Sequence, residues 1–142
     1  MATIGFNGEA EQEGRTRVLL VDPYGGSREG LGAALRGGSL SVETAEGIVE
    51  AVAKMQEGEF EVAIIDLDLP PAHGLAEDGW DLVRLVREVS PALPLVLIAA
   101  ECRPDTQAEA VRHAAAHLLE KPINPRELRT IVQALRPETA PA

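Results

Sequence analysis

Asp22 and Asp66 directly follow two short apolar runs, Val18–Val21 and Val62–Ile65, and Lys121 follows Leu118-Leu119 after a single glutamate. An apolar run rich in branched residues and stopped by an acid reads as a strand buried on both faces. The three residues are therefore expected at the carboxyl ends of strands, the edge of an open α/β sheet where loops converge and chemistry collects. Two carboxylates a few Å apart repel, so either one holds a proton or a cation sits between them, and an oxygen-lined acidic site suits Mg²⁺. A lysine point charge beside them is what an incoming phosphoryl group needs, because phosphoryl transfer is mostly positioning and neutralisation of the oxygens. Together the three suggest an aspartate, Asp66, that accepts phosphate. The blander reading, that Asp66 only stops its strand and opens a turn, is weakened by the shared placement of all three at strand ends.

Five alternations of strand-like and helix-like segments must position them, the pattern of a parallel sheet covered by helices on both faces. The expected strands are Val18–Val21, Leu40–Thr44, Val62–Ile65, Leu93–Ala99 and Leu118-Leu119. The first helix follows Gly25-Gly26, carries Leu31 and Leu35, and ends at Gly37-Gly38. The second buries Ile48, Val52 and Met55 and stops at Gly58. The third starts at Gly79-Trp80, turns Leu82, Leu85 and Val86 inward and ends before Pro91. The fourth starts at Pro104 and faces the sheet through Ala108, Val111 and Ala115. The fifth is capped by Asn124, with Pro125 in first position, Glu127 reaching back, and Leu128, Ile131, Val132 and Leu135 inward. The expected architecture is a flavodoxin-like (βα)5 doubly wound sheet. In the strand order 2-1-3-4-5, strands one, three and four are neighbours and the three side chains can share a pocket.

One domain, residues 16–136, is expected between two flexible tails, 1–15 and 137–142, which lack apolar periodicity. A net charge of −10 works against nucleic-acid or anionic-membrane binding. A single cysteine, Cys102, permits no internal disulfide or cysteine metal cluster, which fits a reducing cytoplasm. The acidic N-terminus is no export signal, and the longest apolar stretch, Leu93–Ala100, is far short of a membrane span. A soluble cytoplasmic protein is the expectation.

From Thr16 to Leu135 the sequence resembles the receiver domain of two-component response regulators. The resemblance rests on Val18-Leu19-Leu20-Val21-Asp22, Ile64-Ile65-Asp66-Leu67-Asp68-Leu69-Pro70, Gly79-Trp80-Asp81-Leu82-Val83-Arg84-Leu85-Val86-Arg87, and Lys121-Pro122 before Asn124-Pro125. It implies that Asp66 is the phosphoacceptor, attacking a phosphohistidine on a histidine kinase or phosphotransfer protein. It implies that Asp22 and Asp66 help hold Mg²⁺, that Asp68 offers it a backbone carbonyl, that Lys121 contacts the phosphoryl oxygens and that the Lys121-Pro122 bond is cis. With no output domain read in the sequence, a stand-alone signalling protein is expected, one that is no turnover enzyme and acts on an unidentified downstream protein. Family members often pair through the fourth helix, fifth strand and fifth helix, which leaves a homodimer open.

Three departures bear on function. Where the family has a second acid after the first strand, Pro23 stands, which lowers the expected Mg²⁺ affinity. Ala99 replaces the hydroxyl that usually binds the phosphoryl group and draws the next loop inward, and Leu118 replaces the aromatic that swings in response. The loop from Pro70 to Asp78, with His73, is longer than usual. Two outcomes follow: an atypical receiver that still accepts phosphate, or a phosphorylation-independent binding module. Asp66-Leu67-Asp68 also looks like the nucleophile and general-acid pair of haloacid-dehalogenase-type phosphatases, but it lies on the third strand and lacks a later acidic pair. His113 and His117 have a helix metal-pair spacing, yet His117 falls past the expected helix end. Trp80 is expected to pack at a helix start, and Gly25-Gly26-Ser27 to form a turn, no Gly-Lys-Ser/Thr following it. Near Cys102, Arg103 is the one neighbour that would favour a thiolate.

Overall fold

Strand β1 (Thr16–Val21), helix α1 (Gly25–Leu35), β2 (Leu40–Ala45), α2 (Ile48–Glu57), β3 (Val62–Asp66), α3 (Gly79–Val89), β4 (Leu95–Ala99), α4 (Pro104–Arg112), β5 (His117–Glu120) and α5 (Pro125–Leu135) follow one another along the chain. The computed structural model describes residues 15–69 and 78–135. The expectations for the tails, for His73 and for most of the Pro70–Asp78 loop lie outside the described residues. The five strands are parallel and ordered β2-β1-β3-β4-β5, as the sequence suggested.

Side chains of a strand point alternately to opposite faces, and the core splits accordingly into two layers. Leu19, Val21, Ile65 and Leu97 pack with Ala51 of α2 and Leu82, Val83 and Val86 of α3. Val18, Leu20, Ile64 and Ile98 pack on the other face with Leu31 and Leu35 of α1 and Leu128 and Val132 of α5. Every residue of β3 and β4 is buried, which is why these strands read as unbroken apolar runs.

Two arginines tie helix ends to the frame. Arg129 of α5 donates to the carbonyls of Leu35 at 2.6 Å and Gly37 at 3.3 Å, closing the end of α1 where Gly37 and Gly38 take φ of 110° and 57°. Arg87 near the end of α3 donates to Leu93 at 2.7 Å and His113 at 2.6 Å, joining the entry to β4 to the end of α4. At the start of α3, Asp78 and Asp81 form a reciprocal capping box. Asn124 caps α5 by accepting from the N–H groups of Arg126 at 2.9 Å and Glu127 at 3.2 Å.

The expected inward face of α4 needs correction. Ala108 is exposed and Val111 is 77% exposed, while Ala110 is the residue buried against the sheet. Ala115 does pack on the core, but from beyond the helix, because the chain leaves helical geometry at Ala114, where φ is 56°. A helix this short, with alanines on several sides, has no periodic stripe strong enough to fix its rotation. Smaller differences are that α1 begins at Gly25 itself and that β4 begins at Leu95, after Leu93-Pro94. Among the described residues, no helix is long and apolar enough to cross a membrane.

Candidate functional site

Asp66 ends β3, and Lys121 follows β5, whose register is set by Leu118 and Leu119 pairing with Leu97 and Ile98 of β4. The Lys121 N–H donates to the Ala99 carbonyl at 2.9 Å, extending that pairing by one residue, and the Lys121-Pro122 peptide is cis, as the resemblance implied. The lysine side chain reaches across β4 toward β3. Its Nζ lies 2.8 Å from Asp66 Oδ2 and 3.1 Å from Asp68 Oδ2. Asp22 follows β1 and lines the same cleft of about 500 Å³ with Asp66 and Lys121. The convergence expected from the strand ends is therefore present.

Each acid is held differently. Asp66, 3% exposed, accepts the Asp68 N–H on Oδ1 at 2.8 Å. Asp22, 2% exposed, accepts the Tyr24 N–H on Oδ1 at 2.9 Å and the Ser27 hydroxyl on Oδ2 at 2.5 Å. Arg28 donates to the Asp22 carbonyl at 2.9 Å, so the first turn of α1 is folded around this aspartate. Asp68 turns its carboxylate toward β4, where Oδ2 accepts the Ala100 N–H at 2.9 Å.

Burial is the largest influence on Asp66 and pushes its carboxyl above the usual range, against the bonds from Lys121 and from the Asp68 N–H that favour the charge. For Lys121 the balance is reversed. Burial would lower it, but the bonds to Asp66 and Asp68 outweigh this and raise the ammonium. The two directions are compatible, because the lysine side chain keeps 29% of its surface in solvent while that of Asp66 keeps 4%, so dehydration falls mainly on the acid.

Ala99 and Leu118 stand where the departures were noted. Ala99 closes β4 with its carbonyl on Lys121 and brings no hydroxyl, and Leu118 packs partly buried on the apolar core. Asp22 brings a second carboxylate to the cleft beside Asp66, and the side chain of Pro23 adds no oxygen. Both oxygens of Asp22 are already bonded, the Asp68 side chain is engaged elsewhere, and among the described residues no three acids, histidines or cysteines group so as to hold a metal. The donors are of the hard oxygen type that Mg²⁺ prefers, with one carboxylate fewer because the side chain of Pro23 carries no oxygen.

Three contributors escaped the sequence reading. Ser27 bonds Asp22; its signal was a hydroxyl in the first turn of the helix after an acid. Tyr24, 56% exposed, sets its ring 5.1 Å from the Lys121 ammonium. Asp68 acts through its side chain as well as lying in the turn, and a second acid two residues after Asp66 was visible in the sequence. His117 lies on β5, so the two histidines do not share a helix face, and His113 instead stacks near Trp80 with ring centroids 5.8 Å apart. Trp80 packs at the start of α3, as expected. Burial and the nearby Glu120 push the Cys102 thiol up, while Arg103 pairs with Glu101, so among the described residues nothing favours a thiolate.

The sequence profile of the response regulator receiver domain matches residues 18–133. The alginate biosynthesis transcriptional regulatory protein AlgB of Pseudomonas syringae is 31% identical over 121 residues, covering 85% of this chain and 26% of AlgB. The transcriptional regulatory protein ResD of Bacillus subtilis is 27% identical over 125 residues, covering 88% of this chain and 50% of ResD. The chain thus spans a quarter to a half of the length of these relatives. Among solved structures, the chemotaxis protein CheY4 of Vibrio cholerae matches with a TM-score of 0.76 and 30% identity, covering 85% of this chain and 98% of that one. A CheY-like receiver domain protein of Methanospirillum hungatei, at 23% identity and a TM-score of 0.74 over 85% of this chain and 94% of that one, shares the fold.

Proposed function

The chain belongs to the response regulator receiver domain family, and from that premise we propose that it takes a phosphoryl group onto Asp66 from the phosphohistidine of a histidine kinase or phosphotransfer protein. Receiver domains interact with such proteins and are typically signalling modules rather than turnover enzymes. The observation that carries the proposal is the Asp66–Lys121 pair: a buried carboxylate at a strand end, 2.8 Å from an ammonium that reaches it across the neighbouring strand.

Oδ1 of Asp66 is fixed by a backbone N–H, so Oδ2, whose partner rides on a flexible stem, is the attacking oxygen. As Oδ2 bonds to phosphorus, the phosphorus–nitrogen bond of the phosphohistidine breaks, and the leaving imidazole takes a proton from solvent. Lys121 then moves its charge from the carboxylate to the phosphoryl oxygens. Family members generally bind Mg²⁺ at the acidic pocket. Asp22, Asp66 and the Asp68 carbonyl would hold it here and it would neutralise phosphoryl charge, with Pro23 weakening the set, and no step is assigned to it.

Incubation of the whole chain with acetyl phosphate, with and without Mg²⁺, followed by intact mass, tests the proposal. A single phosphoryl increment that hydroxylamine removes and Asp66→Asn abolishes is expected. No increment, or the same increment in Asp66→Asn, overturns the assignment. A phosphorylation-independent binding module is the second reading, favoured by Pro23 and by the bonds that occupy Asp22. Multiple turnover on a small phosphate ester would instead point to a phosphatase.

A further inference from the structure

Two donors at the ends of β4 and β5 share one acceptor, the carboxylate of Asp68. Oδ2 of Asp68 accepts the Ala100 N–H at 2.9 Å and lies 3.1 Å from Lys121 Nζ. The same Nζ is 2.8 Å from Asp66 Oδ2, so one ammonium bridges two carboxylates. The main chain fixes this arrangement, because the Asp68 N–H is bonded to Asp66 Oδ1 at 2.8 Å and the side chain of Asp68 is left to reach toward the ends of β4 and β5. Asp68 is thus an anionic side chain sitting on an N–H and an ammonium, the two kinds of donor an oxyanion on Asp66 requires.

We propose that the Asp68 carboxylate is an internal occupant of the phosphoryl-binding donors, holding the Ala100 N–H and the Lys121 ammonium until a phosphoryl group on Asp66 displaces it. This rests on Asp66 being the phosphoacceptor. The exchange makes and breaks hydrogen bonds only, the N–H and the ammonium passing from the Asp68 oxygen to phosphoryl oxygens. It is feasible because the side chains of Asp68 and Lys121 keep 34% and 29% of their surface in solvent, and ion pairs so placed hold weakly. It also has a cost that sets the readiness of the site, since the displaced carboxylate and the arriving group are both negative and must separate. In place of the missing Ala99 hydroxyl, Asp68 links the end of β3 to the start of the β4–α4 loop, so its release transmits loading to that loop. Asp68 is here a positioning residue that acts through Lys121 and Ala100.

Beryllofluoride, a phosphoryl mimic, is titrated into the whole chain as wild type, Asp68→Asn, Asp68→Ala and Asp66→Asn, with bound fluoride followed by ¹⁹F NMR and the Ala100 amide by ¹H–¹⁵N correlation. Both Asp68 variants are expected to bind roughly tenfold tighter than wild type. The Ala100 amide should shift in Asp68→Ala without any ligand and in wild type on saturation. Wild type that binds, with neither Asp68 variant binding tighter or with an unmoved Ala100 amide, overturns this inference alone. Failure of wild type and both Asp68 variants to bind, or equal binding by Asp66→Asn, overturns it together with the phosphoacceptor assignment.

Discussion

β3 and β5 deliver opposite charges to one cleft, but they are anchored in opposite ways. All of β3 is buried, with Ile64 and Ile65 sunk in separate core layers and Asp66 3% exposed at its end. No residue of β5 is fully buried, and the helix leading to it, α4, buries only Ala110. The nucleophile is therefore held by the core, whereas the lysine is held by pairing with β4 and by the carboxylates it meets. A fixed carboxylate beside a lightly anchored ammonium is an arrangement in which the cation follows a change of charge while the reacting oxygen stays put.

The largest expected effect that tests this contrast is Ile64→Ala, which should cost about 4 kcal/mol in urea denaturation, against about 1 kcal/mol for Leu119→Ala in β5. Equal losses would break the comparison. Gly79→Ala comes next. A Cβ there would meet the Leu67 Cα at 2.6 Å and its carbonyl oxygen at 2.7 Å, so the start of α3 or the turn after Asp66 must move. It should cost about 2 kcal/mol and slow labelling of Asp66, the anchored side having lost its fixed geometry. Native-state hydrogen exchange should order the strands the same way, with β5 amides opening at lower free energy than those of β3.

A smaller effect concerns pH. The Asp66 carboxyl is raised in the folded state, so between its ordinary value of 3.8 and that higher value the folded chain binds more protons than the unfolded one. Stability contributed by Asp66 therefore falls as pH rises through this window. Asp66→Asn should be more stable than wild type at pH 7, with the difference disappearing below about pH 3.8. A gain that does not depend on pH would show that burial of the charge is not its source. The smallest effect is Pro23→Asp, which should create a saturable Mg²⁺-dependent change in Trp80 fluorescence where wild type shows little; identical titrations would contradict the placement of Pro23 beside the acidic cleft.

Asp22, Asp66 and Lys121 were legible because strand ends in a parallel sheet leave little choice of where a polar residue points. That β3 and β4 lie inside the sheet was legible from composition: runs such as Ala63-Ile64-Ile65 and Val96-Leu97-Ile98 need cover on both faces. α4 was not, since Ala108, Ala110 and Val111 offer similar burial on different sides and only the short helix and its exit at Ala114 decide among them. The side-chain role of Asp68 was missed because its acceptor oxygen meets residues 32 and 53 positions further on, contacts that no local pattern encodes.

β5 is also an outer strand of the sheet, bonded on one side to β4. A loosely anchored outer strand is where another molecule's backbone could add itself and begin aggregation. Here it runs for four residues only, with exposed His117 and Glu120 at its ends and Pro122, which has no N–H to offer, two residues beyond. Such brevity leaves too short a ladder for a second chain to extend, so the light anchoring of Lys121 does not turn this rim into a template for self-association.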